Sequence, residues 1–326
     1  MIPLITQRVG QALIVLTVVS VLAFILSAVV GDPVASILGI NALPEDREAL
    51  RLRLGLDDPA VYRYLEYIGN AIRGEFGISW SNQRPVADLL KERVPATLEL
   101  AFTALLMSLL IGLPVGIFAA LRRGRWDAGI ALTLTVIGVS IPTFVTAILL
   151  IFGFSVHLGW LPSFGRGETV DLGGWSTGFL TSSGRASLVM PATALAIGQV
   201  ALLARLVRAE MIEVLRSDYI RFAHARGLHP SVVNLSHALR NTLIPVITVS
   251  GIQLGFLFAF AIVAEVVFQW PGVGLLFIQA LGATDAPVIS AVLLVTALFF
   301  TTVNLIVDLL YVLVDPRLSH EEGGVM

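Results

Sequence analysis

Long apolar runs alternate with polar stretches along this chain. Because about 20 apolar residues cross the hydrocarbon core of a bilayer as a helix, each of six runs is long enough to be a transmembrane helix. The third run contains Pro142, where a kink or tilt is expected. The pattern predicts an all-α integral membrane protein with six transmembrane helices, at residues 9–30, 96–121, 128–157, 188–207, 242–268 and 288–314.

The first apolar run has an alternative interpretation as a cleavable signal peptide. It is longer than the roughly 7–15 apolar residues typical of a signal sequence. No A-x-A cleavage site follows it. We therefore expect the first helix to be retained, as part of an N-terminal segment of residues 1–30.

Between the first two spans, residues 31–95 form a polar segment with local helical patterns. Proline and acidic residues favour a helix start, and apolar residues three and four apart indicate one apolar face. The predicted helices are too short and too charged to cross a bilayer, so we expect a small cap on the membrane surface. They cover 44–55, 58–74 and 86–94, and Pro95 is expected to end the last one.

Composition supports a membrane protein and excludes several other functions. The chain is 56% hydrophobic and 13% charged, against about 25% charged residues in soluble domains. It has no cysteine, which excludes disulfides and thiolate metal sites. Lys91 is the only lysine and stands in no glycine-rich Gly-Lys-Ser/Thr motif, so this chain carries no P-loop ATPase. A net charge of −2 gives no indication of nucleic-acid binding.

Arginine is distributed unevenly between the polar stretches, and this distribution predicts the topology. Short cytoplasmic segments are enriched in Lys and Arg, whereas long loops cross largely regardless of charge. With the N-terminus inside, the short segments of the other side hold only Arg166 and Arg185. Both termini and the arginine-rich loop 208–241 are therefore expected in the cytoplasm. The predicted organisation is 1–30, 31–95, a five-helix core at 96–314 and a cytoplasmic tail at 315–326.

The long polar break at 205–245 is rich in arginine and has helical periodicity. Ile220 and Ala223 share one helical face, Gly227 interrupts the helix, and a second amphipathic piece follows at 232–239. A helix, a glycine turn and a second helix between two spans predict a compact knob that a partner can grip. The alternative is an ordinary positively charged cytoplasmic loop.

The stretch 221–245, RFAHARGLHPSVVNLSHALRNTLIP, resembles the cytoplasmic loop of permease subunits of bacterial ABC importers. The signature of that loop is Glu-Ala-Ala, three residues, Gly, nine residues and Ile-x-Leu-Pro. Gly227 and Ala223 match it, and His237 and Leu239 fall at the Ile and Leu positions. The departures are Arg221, Phe222 and Arg240 at the Glu, first Ala and Pro positions. The form R-x-A-x-A-R-G followed by H-A-L-R-N is similar to the dipeptide, oligopeptide and nickel permeases of that family.

Further segments resemble the same subfamily in the same order, so the resemblance covers nearly the whole chain. Any one of these segments alone is a weak signal, but several in order are a strong one. They are Gly31-Asp32-Pro33, Leu54-Gly55-Leu56-Asp57, Gly74-Glu75-Phe76-Gly77, Arg84-Pro85-Val86, Pro95-Ala96-Thr97-Leu98, Ser140-Ile141-Pro142, Trp160-Leu161-Pro162, Glu265-Val266-Val267-Phe268, Pro271-Gly272-Val273-Gly274 and Asp315-Pro316-Arg317.

The resemblance implies one subunit of an ATP-driven importer in a bacterial inner membrane. In this family two six-span permeases pair, two cytoplasmic ATPases drive them, and a soluble binding protein delivers the substrate from outside. ATP and Mg are then expected on the ATPase partner. No cofactor, metal or catalytic residue is expected on this chain, and no nucleic acid among its partners.

The resemblance also implies that the loop transmits the motion of the ATPases as a rigid lever. Gly227 would let a neighbouring backbone approach closely, and Ala223 is small enough to sit in a cleft. The alternative is a plain helix stop and a filler residue. The residues expected to couple to the ATPase are Asp218, Tyr219, Arg221, Ala223, Arg226, Gly227, Leu228 and His237.

Polar side chains within the spans are candidates for the translocation path, because such groups are costly in lipid and usually face protein or water. A structural hydrogen bond or ion pair is the alternative role for each of them. Asn304 and Asp308 share a face of the sixth span, and Asp308 is expected to pair with Arg205 or another basic residue. The path candidates are Gln199, Gln253, Glu265, Asn304 and Asp308, and Glu99 is a further intramembrane acid.

A self-sufficient secondary transporter or channel is the alternative function for a chain with six spans. Such proteins often contain internal repeats and ionisable relays near the bilayer midplane, and this sequence has no clear repeat between its halves. A membrane enzyme has no support, because no nucleophile–base or metal-ligand motif occurs within the spans. The cargo stays open among peptides, glutathione-like compounds and nickel chelates.

Overall fold

The computed structural model describes residues 2–29, 34, 38–39, 43–53 and 55–314. Helices dominate, and one short antiparallel hairpin pairs β1 (Val170–Asp171) with β2 (Ser176–Thr177). Two stretches are π-helical, Ile151–His157 and Val233–Ala238. In chain order the described helices are α1 (Ile2–Val29), α2 (Pro44–Arg53), α3 (Ala60–Ile72), α4 (Val86–Leu121), α5 (Trp126–Ser140), α6 (Thr143–His157), α7 (Ser182–Leu215), α8 (Asp218–Ala225), α9 (Pro230–Phe260), α10 (Ile262–Val267), α11 (Val273–Gly282) and α12 (Ala286–Val314).

A few predicted features lie outside the described residues. These are the Gly31-Asp32-Pro33 and Asp315-Pro316-Arg317 motifs, Leu54 and the tail at 315–326. The division of the chain into four segments stays a prediction.

Among the described residues, five helices are long and apolar enough to cross a membrane: α1, α4, α7, α9 and α12. A sixth span results if the bent pair of α5 and α6 is counted as one crossing. The helical class therefore agrees with the prediction from the sequence, and the described residues give five or six spans against the six predicted. The side of the membrane on which each terminus lies stays a prediction.

The third span is broken at Ser140-Ile141-Pro142 rather than gently kinked. The axes of α5 and α6 differ in direction by 99°. Ile141 is extended, with φ −87° and ψ 124°, because the ring of a following proline disfavours the helical region for the residue before it. Pro142 was expected to bend this span, and it turns the chain by about a right angle.

The prediction that a surface helix ends at Pro95 is wrong. Residues 86–94 and the second span form the single 36-residue helix α4, which continues through Pro95 and Pro114. A proline removes one backbone hydrogen bond, and membrane helices tolerate this loss when neighbouring groups satisfy the freed carbonyl. Lys91, whose carbonyl would have accepted the bond from residue 95, is exposed.

The ends of the fourth and fifth spans also differ from the prediction. Helix α7 extends beyond 188–207 at both ends, and α9 begins at Pro230, so the amphipathic piece at 232–239 is continuous with the fifth span. That span ends at Phe260, and the remaining apolar residues form the separate helix α10. Apolar runs mark the part of a helix within lipid, whereas the helix itself continues into polar sequence.

Helix α11 is a short apolar helix that the hydropathy pattern does not predict. It packs against α12 and α4 between the last two spans. Buried Trp270 precedes it and donates a hydrogen bond from Nε1 to the Ala96 carbonyl oxygen at 2.9 Å. The ten residues of α11 are too few to cross a bilayer.

The contact between α4 and α7 is the most extensive in the bundle, and two glycines make it close. A Cβ atom on Gly116 would lie 2.7 Å from both the Ala204 carbonyl oxygen and Val207 Cβ, and one on Gly112 would lie 3.0 Å from Leu203 Cβ. Glycines four residues apart lie on one face of a membrane helix and allow its backbone to approach the neighbouring helix closely. We call this pair of helices the spine.

At the end of the spine opposite α8, a buried carboxylate joins the segment before α4 to the start of α12. Asp285 Oδ2 accepts hydrogen bonds from the hydroxyls of Ser79 (2.6 Å) and Ser81 (2.7 Å) and from the Ser81 backbone N–H (3.0 Å). Burial acts to raise the pKa of Asp285, but these hydrogen bonds outweigh it and lower the pKa below its ordinary value. The ionised carboxylate is therefore the form that holds the two segments together.

We predict that Gly116→Ala destabilises the protein although alanine favours helices. The added methyl group meets a backbone oxygen that cannot move without separating the spine helices, and such overpacking costs about 1–3 kcal/mol. Gly10→Ala is the matched control, since a Cβ at Gly10 has nothing within 4 Å. Thermal unfolding in detergent should show a lower midpoint for Gly116→Ala only. An unchanged or raised midpoint would contradict the close spine contact.

We predict that the stabilising effect of Asp285 disappears in acid. Its folded-state pKa lies below the value of about 3.9 for an unfolded aspartate, so the stabilisation is present above that value and is lost as the pH falls through the folded pKa. The difference in unfolding midpoint between wild type and Asp285→Asn should therefore narrow with falling pH. Exposed Asp46, as Asp46→Asn, is the control. A difference that widens in acid would contradict this assignment.

Candidate functional site

Helix α8 lies across one end of the spine and is held there by its apolar inner face. Ile220 and Ala223 point inward and are buried, whereas the rest of the helix is largely exposed. We call the apolar cluster that receives them the socket. It consists of Ala120 at the end of α4, Met211 in α7, Ile220 and Ala223 in α8, and Val233 and Ala238 in α9.

Gly227 ends α8 in a left-handed turn, as its position in the sequence predicts. Its φ is +76°, and its N–H donates to the His224 carbonyl at 2.9 Å. The next N–H, of Leu228, reaches the Ala223 carbonyl at 3.4 Å. These two bonds form the Schellman arrangement, in which glycine adopts the positive φ without steric cost. A Cβ at Gly227 has nothing within 4 Å in this chain, so the backbone conformation alone requires glycine here.

The outer face of α8 combines apolar and charged side chains. Phe222 is 64% exposed although it is aromatic, and Tyr219 and Leu228 are exposed as well. Arg226 lies over the Phe222 ring, 5.9 Å from its centroid. The remaining predicted coupling residues lie at the same end: Asp218 and Arg221 form an exposed ion pair, and His237 is exposed on the π-helical part of α9.

Asn241 connects α8 to α9 and was not among the predicted site residues. Its Nδ2 donates to the Tyr219 hydroxyl at 2.6 Å. The two residues are 22 positions apart, so no local spacing in the sequence indicates the contact. With the socket beneath and this bond at the side, α8 is attached to both spine helices and to the start of α9.

Two of the predicted path residues line the same open cavity, whose lining also includes the exposed residues Gly198, Phe256 and Phe260. Gln199 of α7 and Gln253 of α9 both line a cavity of about 400 Å³. Thr143, directly after the break in the third span, contributes a hydroxyl, and the remaining lining is apolar. None of the described residues that line the cavity is charged.

Glu265 lies apart from this cavity and is completely buried. Its Oε1 accepts a hydrogen bond from Thr97 Oγ1 at 2.6 Å, and its Oε2 accepts one from the Leu275 N–H at 2.9 Å. Thr97 Oγ1 also accepts from the Val273 N–H at 2.8 Å. A Cβ on Gly272 would lie 2.2 Å from Glu265 Oε1. Glu265 thus fastens the start of α11 to α4.

Asn304 and Asp308 lie on α12, and neither lines the glutamine cavity. Asp308 pairs with Arg8 of α1, with 3.4 Å between Oδ2 and Nε. Arg8 rather than Arg205 is therefore the basic partner at this end. Asn304 has a buried Oδ1 without a hydrogen-bond partner in the described part of the chain.

Glu99 and Arg166 form a buried ion pair that sequence reasoning did not find. Arg166 Nη2 donates to Glu99 Oε2 at 2.7 Å, and the side chains are only 6% and 2% exposed. Arg166 Nη2 also donates to the Ser176 carbonyl, and the Gly178 N–H reaches Glu99 Oε2. The pair attaches the hairpin between α6 and α7 to α4. Its members are 67 residues apart, too far for a sequence pattern to join them.

The site therefore has two parts, an exposed α8 surface at one end of the spine and an open cavity lined by two glutamines. Within the described residues, no three His, Asp or Glu side chains are grouped so that they could hold a metal ion.

Family models match both halves of the chain. Residues 112–320 match the binding-protein-dependent transport system inner membrane component, and residues 1–101 match the N-terminal membrane component of such systems.

Two curated relatives are similar over nearly their whole length. The glutathione transport system permease protein GsiC of Escherichia coli strain K12 is 39% identical over 307 residues, which cover 94% of this chain and 95% of the relative. A putative peptide transport system permease protein of Brucella abortus strain 2308 is 39% identical over 321 residues, which cover 98% and 99%.

The MetNI methionine ABC transporter in an inward-facing conformation is similar in structure. The TM-score is 0.57 at 21% identity, over 70% of this chain and 96% of the transporter chain. A second crystal form gives a TM-score of 0.55 at 22% identity. At these identities the likeness concerns the fold alone.

Proposed function

The chain belongs to the family of binding-protein-dependent transport system inner membrane components, and from this premise we propose how it acts. It is a permease subunit of a bacterial ABC importer and a multi-pass protein of the inner membrane. We propose that it forms half of the translocation path and pairs with a second homologous permease. Two separate ATPase subunits then bind ATP and Mg, and this chain holds neither.

This proposal rests on the difference between the two faces of α8, one buried and one exposed. Its inner face is buried in the socket, whereas Phe222, Tyr219 and Leu228 expose apolar surface at a polar end of the bundle. Exposed apolar side chains rimmed by charge are typical of protein–protein contacts. We propose that this surface inserts into a cleft on the ATPase and that residues 219–228 transmit its motion.

The attachment of α8 suits it to act as a lever. A partner that pushes on α8 displaces the socket, and with it the ends of α4 and α7. We propose that this displacement alternately opens the glutamine cavity to each side of the membrane. In this arrangement α8, the N-terminus and the C-terminus are cytoplasmic, and the binding protein delivers substrate at the opposite end.

The chemistry of the cavity supports a peptide or a peptide-like compound as cargo. A glutamine carboxamide both donates and accepts hydrogen bonds, as a peptide bond does. Gln199 and Gln253 can therefore contact a peptide backbone whatever side chains it carries. The names of the two relatives, one for glutathione and one for peptide transport, support the same class.

The partner assignment is tested by purification of the tagged chain from gently solubilised membranes. We expect a second six-span permease and one or two P-loop ATPases to co-purify and to be identified by mass. A homo-oligomer that transports without any ATPase would contradict the proposal and favour a secondary transporter or channel.

We predict that Gly227→Val uncouples ATP hydrolysis from transport while membrane insertion stays intact. Valine at a φ of +76° is strained by about 1–2 kcal/mol, so the turn after α8 shifts. Gly227→Asn should retain more uptake, because asparagine tolerates this conformation. Gly74→Val, at φ +80° in the segment before α4, is the control for strain alone. Normal uptake per ATP in Gly227→Val would contradict the lever.

We predict that Gln253→Leu lowers peptide uptake without loss of assembly. The substitution keeps the size of the side chain but removes a donor and an acceptor from the cavity, and one lost hydrogen bond is worth about 0.5–1.5 kcal/mol. Gln279→Leu, at an exposed position of α11, is the matched control. Equal uptake by wild type and Gln253→Leu would show that the cavity does not contact the cargo.

A further inference from the structure

A second cavity, of about 380 Å³, lies where the turn between α4 and α5 meets α7. It is at the same end of the bundle as α8, because its lining includes Ala119, the neighbour of the socket residue Ala120. It is distinct from the glutamine cavity and shares no lining residue with it. The residues that shape it are Gly124, Arg125, Trp126, Gly129, Leu132 and Arg208.

Positive charge faces this cavity from two different elements. Arg125 comes from the turn and is largely exposed, whereas Arg208 comes from α7. Arg208 has a buried Nε without a hydrogen-bond partner in the described part of the chain. A buried guanidinium donor is costly when left unpaired, so the position favours an acceptor that arrives from outside.

Among the described residues that line this cavity, Arg125 and Arg208 carry charge and none is acidic. Asp127 is engaged by Arg122 at 2.5 Å and lies only 3.5 Å from Arg125 Nε, so one carboxylate is shared by two arginines. Glu210 is two positions from Arg208 on α7, and side chains two apart on a helix do not face each other. The described lining therefore carries two positive side chains, of which Arg125 shares the Asp127 carboxylate and Arg208 has an unpaired Nε.

The surroundings of the cavity are apolar and exposed, as a lipid-facing surface is. Trp126 is 76% exposed, and Ile130 and Leu134 are exposed along the following turns of α5. Tryptophan is enriched where a membrane protein meets the headgroup layer. An acceptor with acyl chains attached fits this combination better than a free ion does.

We propose that this cavity binds the headgroup of an anionic phospholipid. Arg125 and Arg208 donate to its phosphate oxygens, which charged nitrogen donors bind strongly. Trp126 packs against the glycerol region, and the acyl chains lie along α5. Basic pockets between transmembrane helices are typical sites for such headgroups. The bound phosphate joins the α4–α5 turn to α7 beside the socket.

The test is lipid binding by the full-length chain in mild detergent, measured by native mass spectrometry. The probes are phosphatidylglycerol, phosphatidylcholine and inorganic phosphate. We expect phosphatidylglycerol to bind and Arg208→Gln to weaken its binding about fivefold, the factor that one arginine near an anionic surface is worth. Arg205→Gln removes the same charge from the same helix one turn away, and it should leave binding unchanged.

Three results would overturn the proposal. If phosphatidylcholine bound as strongly as phosphatidylglycerol, the site would not require a negatively charged headgroup. Displacement of the lipid by inorganic phosphate at equal concentration would make the cavity a site for a free ion. Equal weakening in Arg205→Gln would indicate diffuse attraction rather than this cavity. Elution of each variant as wild type in size exclusion verifies folding, and Arg125→Gln, at an exposed turn position, replaces Arg208→Gln if the latter misfolds.

Discussion

The close packing of α4 against α7 holds the other elements of the fold in position. Gly112 and Gly116 permit it, because any side chain there would meet the backbone or the Cβ atoms of α7. Both parts of the candidate site are built on this spine. Helix α4 provides the Thr97 and Glu99 anchors at one end and the socket at the other, while α7 carries Gln199 and leads directly into α8.

Polar groups inside the bundle fall into two classes that their hydrogen bonds distinguish. Glu99, Glu265 and Asp285 are buried, and each has an oxygen that accepts from a distant segment, whereas Glu99 Oε1 and Asp285 Oδ1 have no hydrogen-bond partner in the described part of the chain. They fasten loops and short helices onto the spine, since a buried carboxylate is tolerable only when it is paired. Gln199 and Gln253 instead face a cavity. These two glutamine side chains are therefore the ones that can form hydrogen bonds with a transported solute.

The sequence predicts much of the fold, and the reasons for its failures are physical. Apolar runs reveal the spans because lipid contact requires them, and Gly227 reveals the end of α8 because few other residues adopt its φ. Pro95 does not end a helix, because Lys91, whose carbonyl loses its helical partner, is exposed and water can bond that carbonyl instead. Helix α11 has only ten residues, so a search for apolar runs of about 20 residues does not detect it. The Glu99–Arg166 and Asp285–Ser79 contacts join residues 67 and 206 positions apart, which no local pattern indicates.

If α8 is a lever, it and the end of the spine move as one body, and the distance between them can be measured within the assembled transporter. The chain has no cysteine, so Leu121→Cys and Arg221→Cys place its only spin labels at the end of α4 and on the exposed side of α8, in a transporter whose other subunits are made free of reactive cysteine. Electron paramagnetic resonance should give one narrow distribution of the distance between the two labels. That distance should be the same without nucleotide and with ATP bound, in a labelled transporter that retains uptake. A broad distribution, or a distance that changes with ATP, would contradict a rigid lever.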